Sequence, residues 1–392
     1  MKVVHVITGL NTGGAETMLY RLLSRTDRAV FKSEVISMTD VGPIGEKIRT
    51  LGMPVRALGM RRGVPNPLGL LRLARWIRQN PPHVVQTWMY QADLMGGLGA
   101  RLGGGMPVAW GVHNTDLDAR KVSRLKVLTV RACAWSSRLL PTRIVCCSES
   151  TRNFHEEVGY AADKIIVIPN GSDLATFKPD SEARRSVREE LGIREGQPLV
   201  GLAARFDPQK DHHNFVRAAA MLHARLPDVN FVLCGDGITW QNPQLTEWID
   251  AAGVRSYFHL LGRREDMPRL TAALDVVSSA SYYGEAWPLA IGEAMACGVP
   301  CVVTNIGDSA LMVGETGRVV PPRKPEALAE AWHEILTMSP HERTQLGMAA
   351  RRYAEKHFSL EEAVARYERL YRELNASNGA RDPLASSVNR RS

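Results

Sequence analysis

No run of about 18 apolar residues occurs in this 392-residue chain, so a membrane-spanning helix is not expected. Nor is a signal peptide expected. Met1-Lys2-Val3-Val4-His5-Val6-Ile7-Thr8-Gly9 begins a strand at once, without a basic start, a long apolar stretch or a small-residue cleavage site, and a cytoplasmic location follows. Cysteine is sparse. Cys133, Cys146, Cys147, Cys234, Cys297 and Cys301 include no C-x-x-C pair of the kind that holds zinc, and they read as free buried thiols in a reducing compartment. There is no C2H2 spacing and no aromatic–basic signature of an RNA-binding module, so nucleic acid is not an expected partner. The G-x-G-x-x-G dinucleotide fingerprint is absent too, which argues against NAD.

Acidic residues are scarce in the first half. Residues 1–170 hold 23 Lys/Arg against 12 Asp/Glu, and the remainder holds 26 against 29, so the formal charge of +8 resides in the first half. Such a half favours an acidic partner surface. One segment stands out: Arg120-Lys121-Val122-Ser123-Arg124-Leu125-Lys126 opens a helix continuing through Leu140, with Arg131, Trp135 and Arg138 on it. Basic amphipathic helices bind anionic membranes, and an ordinary surface helix fits the same pattern.

What is present is a two-domain composition. Hydrophobic content of 44% and charged content of 23% suit two globular cores. Short apolar runs alternate with helical patterns: Val3–Ile7, His83–Thr87, Val108–Gly111 and Arg143–Cys146, then Leu199–Ala204, Asn230–Cys234, Tyr257–Leu260, Asp275–Ser278 and Pro300–Thr304, with helices such as His212–Ala224 and Pro288–Ala296. That alternation predicts an α/β chain with two doubly wound parallel sheets. Turn-forming residues over 169–185 mark the linker, giving domains at 1–170 and 171–358, a helix at 359–375 with Ser359 as its N-cap, and a disordered polar tail at 376–392. Ligands bind at the carboxyl ends of such strands, so a cleft between the two domains is the expected site.

Four segments carry candidate chemistry. Gly9-Leu10-Asn11-Thr12-Gly13-Gly14-Ala15-Glu16 follows the first strand and opens a helix, where glycine admits close backbone approach and the helix N-terminus favours an anion. In Gly201-Leu202-Ala203-Ala204-Arg205-Phe206-Asp207-Pro208-Gln209-Lys210, Arg205 and Lys210 flank a turn at a strand end, a suitable pair for a diphosphate. In the block Ser281 to Pro300, Glu285 lies in a loop, Pro288 is placed at the first helical position, and Glu293 sits among Ala290, Ile291, Ala294 and Met295, where a carboxylate needs partners that two ribose hydroxyls would supply. The eight-residue spacing of the two glutamates carries nothing by itself, since Glu149/Glu157 and Glu326/Glu334 share it. Lastly, His113 and Asp116 stand in Trp110-Gly111-Val112-His113-Asn114-Thr115-Asp116, at a strand end.

These segments, with Pro169-Asn170-Gly171 and Leu233-Cys234-Gly235-Asp236-Gly237, resemble family 4 of the retaining glycosyltransferases over nearly the whole chain. The resemblance implies the GT-B fold, with two Rossmann-like domains facing across a deep cleft. It implies no catalytic metal and no cofactor beyond a nucleotide-sugar substrate, bound by the second domain, while the first domain receives the acceptor. It assigns Glu293 to the donor ribose, Arg205 and Lys210 to the diphosphate, and Glu285 with the Ala286-Trp287-Pro288-Leu289 backbone to the transferred sugar. Gly262, Arg263 and Met267 fall to base recognition, and Gly13, Gly14, Glu16 and Gly235 to the substrate-binding loops. His113 would position the sugar and stabilise an oxocarbenium-like state, and Asp116 would contact the acceptor. Where many relatives carry Glu-Gly-Phe, this chain reads Gly284-Glu285-Ala286-Trp287-Pro288, so Trp287 bears on the sugar pocket.

The expected reaction moves a hexose or N-acetylhexosamine, from a UDP-sugar first and GDP-mannose next by family frequency, to a glycan or lipid-linked acceptor of surface polysaccharide. The expected location is cytoplasmic, peripheral on the inner face of the membrane. A sugar-nucleotide epimerase and a non-catalytic nucleotide-sugar sensor stay open. A phosphorylase would need a cofactor-anchoring lysine, and none stands out; nor does an enzyme nucleophile.

Overall fold

In the first strand Val3 and Ile7 project to one face and Val4 and Val6 to the other, as the two-residue period requires, and all four are buried. A strand apolar on both faces has to be covered on both, which selects a parallel sheet with crossover helices. The computed structural model describes residues 1–61, 66–115 and 123–379 and contains two such sheets. One unit comprises Met1–Gly171 and the segment from Leu360 onward, the other Ser172–Ser359.

The first unit's sheet holds β1 (Lys2–Ile7), β2 (Lys32–Ser37), β3 (Val55–Ala57), β4 (Val84–Trp88), β5 (Val108–Val112), β6 (Arg143–Cys146) and β7 (Ile165–Val167), in the order 3-2-1-4-5-6-7. The second holds β8 (Leu199–Ala203), β9 (Asn230–Cys234), β10 (Phe258–Leu260), β11 (Val276–Ser279), β12 (Cys301–Thr304) and β13 (Arg318–Val320), in the order 10-9-8-11-12-13. The pattern is the same: the chain winds outward from β1 or β8, then restarts on the other side at β4 or β11. All these pairings are parallel. The reversal leaves a crevice at the carboxyl ends of β1/β4 and of β8/β11, the switch point where open α/β sheets take ligands.

The helix Leu360–Gly379 belongs to the first unit, where Leu360, Val364, Tyr367, Leu370, Tyr371 and Leu374 complete the core on the Val3/Ile7 side of the sheet. It runs past the expected end at Asn375. Past that point Ser377 Oγ donates to the Glu373 carbonyl one turn back, at 2.9 Å. The expected tail otherwise falls on 380–392, outside the described residues.

Two other expectations are corrected. The linker is shorter than 169–185, because Asp180 caps a helix at Ser181–Glu190, its Oδ1 accepting from the Ala183 amide at 2.9 Å. Pro288 stands one place before its helix, Leu289–Ala296, with extended backbone at φ −71° and ψ 107°.

Candidate active site

β8 and β11 are neighbours in the sheet, so the loops leaving their carboxyl ends meet. Beyond β8, Asp207 Oδ1 accepts from the Gln209 amide at 2.9 Å and shapes a single turn, Pro208–Lys210. Beyond β11, the Tyr282 amide donates to the Gln209 carbonyl at 3.1 Å, and Thr304 Oγ1 of β12 donates to the Ser281 carbonyl at 2.5 Å. Gly307 closes the back of this loop. At φ +58°, its missing Cβ would lie on the Glu285 carbonyl, and the Asp308 amide donates to the Ala286 carbonyl at 3.1 Å.

The loops bring Lys210 and Glu285 together across the switch point. Lys210 Nζ donates to Glu285 Oε2 at 2.7 Å and Oε1 at 2.9 Å, with side chains only 18% and 7% exposed. Gln209 Nε2 (3.2 Å) and Ser281 Oγ (3.1 Å) also donate to Glu285 Oε2. A buried carboxylate is tolerable when so many donors meet it. Arg205 joins through the same glutamine: its terminal nitrogen reaches Gln209 Oε1 at 3.5 Å, while Nε donates to Asp207 Oδ2 at 3.1 Å. Arg205, Gln209, Glu285 and Lys210 thus form one continuous polar chain. Its exposed end is Arg205, 51% accessible, where an anion can approach. Sequence reasoning assigned no role to Gln209 or Ser281; the signal available was that both lie inside the two segments already singled out.

The remaining candidates of the second unit fall on several of its loops and helices. Gly235 at φ +149° presses β9's outgoing loop onto the Ala204 carbonyl and Arg205 amide, where a Cβ would clash, and its amide donates to the Gly262 carbonyl at 2.8 Å. Met267 opens the helix Met267–Ala272, and its Sδ accepts from Cys234 Sγ at 3.7 Å. These two line an apolar hollow with Ala203, Thr271, Val277 and Ala290. Arg263 is on the surface, paired with Glu265 at 3.2 Å. Glu293 is partly buried on the helix Leu289–Ala296. Trp287 packs edge-on against Phe358 at 5.3 Å.

In the first unit, Gly13 caps the helix Gly14–Arg25 with extended backbone, and the Glu16 carboxylate folds back so closely that a Cβ on Gly13 would collide with it. Glu16 therefore presents its negative charge to the positive end of its own helix. At Gly14 a Cβ would meet open space. His113 follows β5. The residue keeps some exposed surface, yet both ring nitrogens are buried and, among the described residues, neither has a hydrogen-bond partner. Leaving a buried polar group unsatisfied costs roughly 1–3 kcal/mol, which a ligand's hydroxyls would relieve. Burial lowers its pKa to about 4, so the imidazole is neutral near pH 7 and can either donate or accept. Asp116 lies outside the described residues.

His5 and His155 of the same unit are also held neutral by burial, at about 3 and about 4. A histidine whose folded pKa lies below its unfolded value stabilises fully above the unfolded pKa, near 6.5, and loses that contribution as pH falls toward the folded value. Burial raises the Asp93 carboxyl, which accepts from Thr87 Oγ1 at 2.5 Å and the Gly111 amide at 3.2 Å, and this group acts in the opposite sense. In the second unit burial also lowers His212 and His259 and raises Asp211, so five histidines stand against two carboxyls and the net is a loss: the melting temperature falls as pH is lowered from 6.5 to 4.5. Thermal unfolding across that range checks this, and a flat profile contradicts it.

Known proteins match this chain in sequence and in fold. The family model of glycosyl transferases group 1 matches residues 183–353, and that of glycosyltransferase family 4 matches residues 12–176. The chain belongs to the family 4 glycosyltransferases. It is 28% identical over 314 residues to the putative glycosyltransferase EpsF of Bacillus subtilis (strain 168), covering 78% of this chain and 79% of that one. It is 29% identical over 250 residues to the UDP-Gal:alpha-D-GlcNAc-diphosphoundecaprenol alpha-1,3-galactosyltransferase of Escherichia coli, covering 63% and 64%. Among solved structures, Anabaena HepE in complex with UDP superposes with a TM-score of 0.82 at 21% identity, over 95% of this chain and 100% of that one. This likeness makes the two doubly wound units those of the GT-B fold.

Proposed function

We propose that this glycosyltransferase moves a hexose or N-acetylhexosamine from a UDP-sugar to a glycan or lipid-linked acceptor of surface polysaccharide, with retention of configuration and without a metal ion. The observation that carries the reading is the Lys210–Glu285 pair at the β8/β11 switch point, wired through Gln209 to Arg205. Two protein cations at strand ends supply the charge that a departing diphosphate needs. The C1–phosphate bond breaks as the acceptor oxygen bonds C1 on the same face, and the acceptor proton passes to the leaving phosphate. Glu285 steadies Lys210 and contacts the sugar with the Ala286–Leu289 backbone; Glu293 takes the ribose; Gly262, Arg263 and Met267 border the base. His113 contacts the transferred sugar through a ring nitrogen, and Gly13, Gly14 and Asp116 serve the acceptor side. The choice of UDP is supported by HepE, solved with UDP and with UDP-glucose, and by the donor in the galactosyltransferase's name.

Incubation with UDP-, GDP- and ADP-sugars tests this. UDP is released from a UDP-sugar, and that donor raises the melting temperature by mass action. Sugar interconversion without diphosphate release indicates an epimerase, and binding without turnover a sensor; either overturns the reading.

The enzyme works at the inner face of the membrane. Residues 119–148 contain seven Lys/Arg and no Asp or Glu. On the helix Arg124–Ser136 and the turn after it, Arg124, Leu128, Arg131, Trp135, Arg138 and Leu139 are exposed, Trp135 at 78%. Alternating cationic and apolar groups suit an anionic lipid surface. The expectation is that the protein pellets with anionic vesicles at low salt, not with neutral ones, and that Trp135→Ala with Arg131→Glu weakens pelleting. No pelleting of the wild type ends this placement.

A further inference from the structure

An imidazole is ordinarily oriented through a hydrogen bond to one of its nitrogens. His113 lacks that anchor: neither ring nitrogen has a partner among the described residues. What fixes its plane is a stack. The Trp88 indole lies parallel to the His113 ring, with centroids 5.2 Å apart and an interplanar angle of 14°. Tyr367 stacks with Trp88 as well, at 5.9 Å and 28°.

Trp88 is itself held in place. It ends β4 and is fully buried. Its indole N–H donates to His5 Nδ1 at 3.3 Å, which sets the ring's rotation. An indole nitrogen can only donate, so His5 Nδ1 must be the acceptor. Tyr371 meets the His5 ring edge-on, at 6.1 Å and 76°. Next to Trp88, Met89 takes φ +73°, a conformation a non-glycine residue keeps only when its surroundings enforce it, and its amide donates to the Gly111 carbonyl at 2.8 Å, tying the end of β4 to β5. Gly111 lets the strands close: a Cβ there would lie 2.5 Å from the Thr87 carbonyl and 3.5 Å from His113 Nε2.

We propose that Trp88 is the positioning residue for His113, and that the carboxy-terminal helix reaches the chemistry through Tyr367, which holds Trp88. This rests on the reading that His113 contacts the transferred sugar. Stacking restrains the ring plane while leaving both nitrogens to the ligand, so one hydroxyl can be donated to and another accepted from. The helix Leu360–Gly379, hundreds of residues from His113 in sequence, is then part of the catalytic support of the first unit rather than a covering for its core alone.

The test uses the full chain and whichever of UDP-glucose, UDP-galactose and GDP-mannose releases diphosphate fastest. Trp88→Leu lowers kcat on the order of 10- to 100-fold, as slight misplacement of a reacting group does, with donor KM little changed. Trp88→Phe, which keeps a ring to stack, recovers most of the loss. Tyr367→Leu lowers kcat in the same way and Tyr367→Phe restores it, which covers the case in which Trp88→Leu does not fold. Adding Trp88→Leu to His113→Ala costs nothing further. A purely structural role would lower the melting temperature and leave kcat per nucleotide-binding site intact, and that result overturns the proposal. Full additivity with His113→Ala overturns it too. If His113→Ala turns over like the wild type, the assignment of His113 fails and this proposal with it. If His113→Ala is slow while Trp88→Leu and Tyr367→Leu are not, the proposal alone fails.

Discussion

Lys210→Ala lowers turnover by about 10²–10³, the usual cost of one preorganised charge contact. The side chain has two tasks in this structure, and the prediction has to separate them. One is to face the diphosphate; the other is to neutralise Glu285, whose carboxylate is 7% exposed and receives Lys210 at 2.7 and 2.9 Å. Were the second task the whole of it, Glu285→Gln would remove the need for the lysine, and Lys210→Ala would be harmless in that background. We expect otherwise. In a double-mutant cycle, Lys210→Ala in the Glu285→Gln background still slows diphosphate release, though by less than in the wild type, because part of the single-mutant loss comes from stranding a buried carboxylate. Diphosphate release measured for the four proteins decides the matter. Wild-type turnover in Lys210→Ala contradicts a role in leaving-group stabilisation.

That pair also marks where sequence reading stops. The strands were legible because Val3-Val4-His5-Val6-Ile7 and Asn230-Phe231-Val232-Leu233-Cys234 are apolar on both faces, which only a covered parallel sheet can use. The loops after them stood out as candidate sites because glycine and paired charges sit at strand ends. The meeting of Lys210 with Glu285 was not legible. They are 75 residues apart, and they touch because the sheet order skips from β8 to β11, a topological fact that no local pattern encodes. The same holds for Trp88. In sequence it is one more apolar residue ending a strand, and its stack on His113 exists only once β4 pairs with β5 and a helix from the far end of the chain packs behind both. Element ends were misjudged where a side chain decides them: Asp180 starts a helix inside the expected linker, and Pro288 stands before its helix instead of within it.

Asp275→Asn destabilises the protein by about 3–5 kcal/mol, the cost of breaking a buried ion pair from one side. Asp275 lies at the amino end of β11, opposite the end that carries the Glu285 loop. It is 6% exposed and receives Arg184 at 2.7 Å, Arg188 at 2.5 Å and the Leu199 amide of β8 at 2.9 Å. One carboxylate thus joins the helix Ser181–Glu190 to both strands of the switch point. Arg188 is 3% exposed at its side chain, and burial lowers its pKa even with Asp275 beside it. An amide in place of the carboxylate leaves that guanidinium in the interior without the charge that faces it at 2.5 Å. Replacing Asp275→Leu together with Arg188→Met removes the more deeply buried stranded charge and recovers part of the stability, while the Leu199 amide and the partly exposed Arg184 still lose this acceptor. Urea unfolding followed by circular dichroism measures both proteins. If Asp275→Asn unfolds at the wild-type midpoint, the carboxylate is not what holds β8, β11 and the helix in register, and the placement of Lys210 against Glu285 needs another anchor.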